Sequence, residues 1–159
     1  MNDGPASDSL TEEVFRNEPD PDNPGWWLWE VRDSNRFNHF MGTFRARKES
    51  ETTARVRMTP RPEHTNLSDN IHGGVLMSFA DGALFSGARM VGVERAGPAV
   101  TVDLNMHFIA PGSADEPLDA VVEVLRETYR LVFMRGILEQ GETIVAEFSG
   151  TIKKPSPPK

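Results

Sequence analysis

At 159 residues the chain suits a single domain, long enough to bury a core without metal or disulfide staples. Its 24 acidic and 17 basic side chains leave a net charge of −7, which argues against general affinity for nucleic acid but leaves room for a local basic patch. With no cysteine there is no disulfide framework, no thiolate nucleophile and no thiolate metal site.

Residues 1–25 are rich in Asp, Glu, Pro, Asn and Ser and end in PDPDNPG. That composition buries little apolar surface and reads as a mobile tail, as does KPSPPK at 154–159. Met1 to Leu10 lacks the basic and apolar regions of a signal peptide. No apolar run approaches the ~20 residues that cross a bilayer, so a cytoplasmic protein without membrane contact is expected. The domain is placed at 26–153.

Trp26, Trp27 and Trp29 open an apolar segment that continues to Phe40. It reads as a lid over the core, with ligand stacking as the second reading. Gly42 to Lys48 and Thr52 to Met58 read as a hairpin turned at ESE, and Pro60 and Pro62 end regular structure. The loop EHTNLSDNIHGG follows.

Val75 to Val91 is the one long helix pattern. Its apolar residues do not keep to one face, so the helix is buried on most sides. Its small residues, among them Gly82, Ala83 and Gly87, admit a sheet at close range. From Ala99 the period changes to two. Val100, Val102, Leu104, Met106 and Phe108 alternate with Thr101, Asp103, Asn105 and His107. Three more strands follow: Leu118 to Thr128, Leu131 to Glu139, and Thr143 to Lys153 with Ile144, Ala146, Phe148 and Ile152 in phase. An antiparallel sheet curled around one helix, in an α+β architecture, satisfies both patterns.

Four features carry candidate chemistry. Asp81 lies mid-helix, where Arg89 is the other charged group. A buried carboxylate needs a partner, a raised pKa or a task. An internal cap, a pair with Arg89 and a functional role all stay open. His72-Gly73-Gly74 lies at the helix start, where unpaired N–H groups and the dipole favour negative charge; an oxyanion hole and a plain Gly-rich start are both readings. Asn66 in the loop and Thr101 on the strand carry little alone.

Together, NLSDNIHGGVLMSFAD and the later AVTVDLNMHF resemble the PaaI-like branch of the hot-dog thioesterases, over roughly residues 37–153. The resemblance implies a hot-dog fold, a curved antiparallel sheet wrapped around a central helix. It implies hydrolysis of an acyl-CoA thioester, with Asp81 as general base or nucleophile and the Gly73 N–H polarising the carbonyl. It implies that Asn66 and His72 shape the pocket and that Thr101 assists the attacking water. It further implies a homo-oligomer, dimer or tetramer, with Asp81 facing the Asn66–Gly73 loop of another copy across a dimer interface. Arg126, Arg130, Lys153 and Lys154 are the candidates for the coenzyme A phosphates, each also an ordinary surface charge. The family usually has a Gly between the motif Asn and His. Here the stretch is Leu-Ser-Asp-Asn-Ile, so Asp69 or Asn70 is expected to take the left-handed conformation.

No cofactor is expected. His39, His64, His72 and His107 show no metal-ligand spacing, so no metal is expected either. The rival readings are a hydratase or dehydratase on an acyl thioester, and a non-enzymatic acyl-CoA binder.

Overall fold

In the computed structural model, which describes residues 14–157, a helix cannot be apolar on nearly every side unless something wraps it. Helix α2 (Gly73–Met90) is that helix, and a sheet does the wrapping. Before it come β1 (Phe15–Pro19), β2 (Trp27–Val31), the short helix α1 (Phe37–Met41), β3 (Phe44–Lys48) and β4 (Thr53–Met58). After it come β5 (Val100–Phe108), β6 (Leu118–Glu127), β7 (Leu131–Gln140) and β8 (Thr143–Lys153). The eight strands form one sheet in the order β1-β2-β3-β4-β6-β7-β8-β5, and every neighbouring pair is antiparallel. The expected hot-dog architecture is the observed one.

The core lies between α2 and the concave face. Phe79, Ala80, Ala83 and Leu84 of α2 meet Val56, Leu118, Val122, Leu138, Phe148 and Ile152, all essentially inaccessible. Truncating a side chain such as Phe79 to Ala in so closed a core costs ~3–5 kcal/mol. On the convex face Arg55 and Arg57 converge on Asp119. Burial pushes the Asp119 carboxyl up, but hydrogen bonds from Arg57 and Arg55 outweigh burial and hold it below the usual carboxylate range.

Several expectations change. The tail expected over 1–25 lies outside the described residues at 1–13, yet Phe15–Pro19 forms a strand paired with β2. A composition this polar orders because Phe15 docks on Trp29 and backbone pairing is available at the sheet edge. Residues 158–159 of the second expected tail also lie outside the described part, and Lys154 is buried rather than solvated. Trp27 and Trp29 of the tryptophan cluster lie on a strand, not in a lid. Trp29 belongs to the core, and Trp26 lies on the other face beneath the guanidinium groups of Arg47 and Arg57.

Three bulges break the simple alternation. One lies between Val124 and Arg126. Another, where Leu138 pairs with Ala146 but Glu139 pairs with Ile144, turns Val145 inward and leaves Ile144 exposed. The third, between Thr101 and Asp103 of β5, bears on the site. Strand β5 is also a sheet edge, and the bulge splits its expected apolar row: Leu104 and Met106 pack against the core, whereas Val100, Val102 and Phe108 are each more than half exposed. Among the described residues no helix is long and apolar enough to cross a membrane.

Candidate active site

Asp81 sits halfway along α2, half-buried, where the helix turns from the core toward the β5 edge. Strict alternation would put Thr101 on the face opposite Leu104. The bulge changes this. Thr101 pairs with Ile152 and Asp103 with Thr151, so Val102 is an extra residue and Thr101 falls on the same face as Leu104. The Thr101 Oγ1–H then donates to Asp81 Oδ1 at 2.6 Å. Asp81 therefore has a partner, and it is a hydroxyl. Arg89 lies two turns on, with its guanidinium over the Trp29 and Phe15 rings.

Asp81 forms the divide between two clefts. The larger, of about 370 Å³, runs toward the C-terminus of α2 and is walled by Phe15, Trp29, Phe44, Phe85 and Arg89. The smaller, about 280 Å³, runs the other way past Met77, Ser78, Phe37 and Leu104. Gly82 is what lets Phe44 close over this divide, since a Cβ there would lie 2.6 Å from the ring. Clefts of about this size that combine aromatic walls with polar groups such as Asn38 and Asp81 suit a small-molecule ligand.

The loop residues gather elsewhere. A third cleft, about 330 Å³, is lined by Asn66, Ile71, Gly73, Phe108, Ile109 and Pro111. Gly73 is eight residues before Asp81 on the same helix, ~12 Å along the axis. Within one chain Asp81 and Thr101 thus stand apart from the cleft lined by Asn66 and Gly73.

The cleft of Asn66 and Gly73 is built around the helix start. His72 is the N-cap, and its Nδ1 accepts the Gly74 N–H at 2.9 Å, leaving only Nε2 for a ligand. The Gly73 N–H has no acceptor among the described residues, as expected for a first helical turn. Asn66 Oδ1 accepts the N–H groups of Ser68 and Asn70 at 2.9 and 3.2 Å, so this side chain holds the loop in shape. Asp69, one of the two residues expected to do so, takes the left-handed conformation, φ 59°. His64, not singled out from the sequence, is fully buried beneath the loop. Its carbonyl accepts the His72 N–H at 2.8 Å, and its ring accepts the Arg61 N–H and reaches the Phe40 carbonyl.

A model of the Thioesterase superfamily matches residues 69–147, which span α2, β5, β6, β7, the turns between them and the start of β8. The chain belongs to the thioesterase superfamily. This superfamily member is 30% identical over 76 residues to the acyl-coenzyme A thioesterase 13 of Homo sapiens, a match covering 48% of the chain and 53% of that protein. The chain thus spans about half the length of that curated relative. A putative esterase of Pseudomonas aeruginosa is 29% identical over 115 residues, covering 72% of the chain and 85% of that protein. Among solved structures the E. coli PaaI protein of the phenylacetic acid degradation operon superposes with a TM-score of 0.58 at 26% identity, covering 65% of the chain and 73% of PaaI.

In this thioesterase-superfamily chain the phosphate candidates divide. Lys154 is buried, with its ammonium held by Glu127, so it is withdrawn from solvent. Arg130 Nε donates to the Lys154 carbonyl at 3.1 Å and is half-buried. Arg126 and Lys153 are exposed. No group of three or more His, Asp or Glu side chains among the described residues is arranged to hold a metal ion. Sequence reading missed Phe15 and Phe44, which complete a cleft wall with Trp29 and Phe85. Four aromatic residues scattered over 71 positions carry no shared spacing, so only the fold could bring them together.

Proposed function

We propose that the chain is an acyl-CoA thioesterase that works as a homo-oligomer, with each site assembled from Asp81 and Thr101 of one copy and Asn66, His72 and Gly73 of another. The observation that carries this is the Thr101 hydroxyl donating to Asp81 on the divide between two clefts. The bond occupies one carboxylate oxygen and leaves the other for a water. The exposed apolar side chains of β5, an unpaired sheet edge, support a second copy lying alongside.

In this reading Asp81 takes a proton from water, and the hydroxide forms a bond to the thioester carbon. Direct attack by the carboxylate is the other route, and it ends in the same products once water hydrolyses the anhydride. The carbonyl oxygen becomes an oxyanion held by the Gly73 N–H at the positive end of the helix. Collapse breaks the carbon–sulfur bond. The thiolate leaves with little acid help, since thiols have pKa values near ~8.5. Arg126, Arg130 and Lys153 are the groups proposed for the coenzyme A phosphates.

A hydratase would pair its acid with a His, whereas the group bonded to Asp81 within the chain is a hydroxyl. The test is thiol release from a panel of acyl-CoAs, with enoyl absorbance followed in parallel. Asp81→Asn should lower kcat ~100- to 10,000-fold with the fold intact. Full activity in that variant, or no thiol release across the panel, overturns the assignment; ligand binding without turnover would mark a binder instead.

A further inference from the structure

The two clefts beside Asp81 differ in how they end. The larger passes Gly82, Phe85 and Ser86 along α2 and stops at Arg89, eight residues and ~12 Å beyond Asp81 along the axis. There β1 delivers Phe15. Its ring meets Trp29 edge-on, with centroids 5.3 Å apart. The Arg89 guanidinium lies 4.7 Å from the Trp29 ring centre and 5.6 Å from that of Phe15. A hydrocarbon chain needs ~4 Å to the atoms on each side of it, so none threads between groups already in contact. A methyl terminus that arrived there would also meet a cation rather than another apolar wall.

We propose that this cleft seats the acyl part of the substrate and that Phe15 is its end stop, restricting straight-chain acyl groups to those that finish within ~12 Å of Asp81. The proposal rests on the thioesterase reading above and names its substrate class: short and medium acyl groups, not long ones. It gives the N-terminal strand a task. β1 is the outermost strand of its side of the sheet, and its contribution to the cleft is Phe15.

The experiment is thiol release from butyryl-, octanoyl- and palmitoyl-CoA by the full-length protein and by Phe15→Ala. For the wild type, kcat/KM with palmitoyl-CoA should fall at least ~10-fold below that with octanoyl-CoA, a discrimination within reach of a pocket with a blocked end. Phe15→Ala should raise the palmitoyl-to-octanoyl ratio at least ~10-fold, and Phe15→Leu should raise it less. Equal use of both substrates by the wild type overturns the end stop. So does an unchanged ratio in Phe15→Ala, or in Phe15→Leu should the alanine variant fail to fold. Calorimetric binding of the matching non-hydrolysable thioether analogues reads the same cut-off without chemistry. A length cut-off in binding with no thiol release from any of the three esters would therefore sink the hydrolase reading and spare the end stop.

Discussion

Thr101 shows how much one hydrogen bond can be asked to do. Its hydroxyl donates to a carboxylate on a helix whose other faces are packed in the core, and this fixes which Asp81 oxygen stays available. A hydrogen bond to a charged group is worth ~1.5–3 kcal/mol, which corresponds to ~10- to 150-fold in rate if the bond matters in the transition state. Thr101→Val keeps the shape and removes the donor. It should cost kcat by about that factor, while Thr101→Ser, which keeps the donor, should stay within a few-fold of wild type. Equal loss in both variants would mean that the methyl group's packing, not the hydroxyl, is what the site uses.

At the scale of elements, the start of α2 allows a cleaner removal than any side-chain change. Gly73 is the first helical residue, and its proposed contribution is a backbone N–H. Proline is favoured at that position because it needs no donor there and its φ suits the helix. The residue before a proline must be extended, and His72 already has φ −62° and ψ 137°. Gly73→Pro should therefore fold, with a melting temperature close to wild type, and lose ~100- to 1,000-fold in kcat as an oxyanion donor would. Unchanged turnover in a folded Gly73→Pro protein would remove the Gly73 N–H from the mechanism. The same elements show what the sequence makes legible. The helix, the hairpin before it and the four strands after it were readable because period and punctuation are local. The Asn66–His72 spacing pointed at the loop, and Asp81 stood out because a carboxylate is costly inside an apolar helix. The bulge at Val102 was not readable. One extra residue leaves no local mark, so alternation put Thr101 on the wrong face although the residue itself was a candidate. Strand β1 was hidden in the same way, because what orders Phe15–Pro19 is a distant partner, Trp29, and not its own composition.

For the whole molecule, the separation of the two half-sites becomes a quantitative expectation. Asp81 and Gly73 lie on one uninterrupted helix, so no loop movement can bring them together within a chain. If a site takes Asp81 from one copy and Gly73 from the next, Asp81→Asn and Gly73→Pro damage different halves of it. In a mixed dimer one site receives both lesions and the other receives neither. Refolding the two inactive variants together at equal concentration makes half of the dimers mixed, each with one intact site of two, so thiol release should return to about a quarter of the wild-type rate. Sites contained within single chains would give no recovery at all, because every chain in the mixture carries a lesion. The same logic explains the β5 edge. Val100, Val102 and Phe108 are exposed in the isolated chain, on the strand that also holds Thr101 against Asp81. In the proposed oligomer a partner that covers these side chains would reach Asp81 and Thr101 as it does so, and burying them and completing the site would be one event.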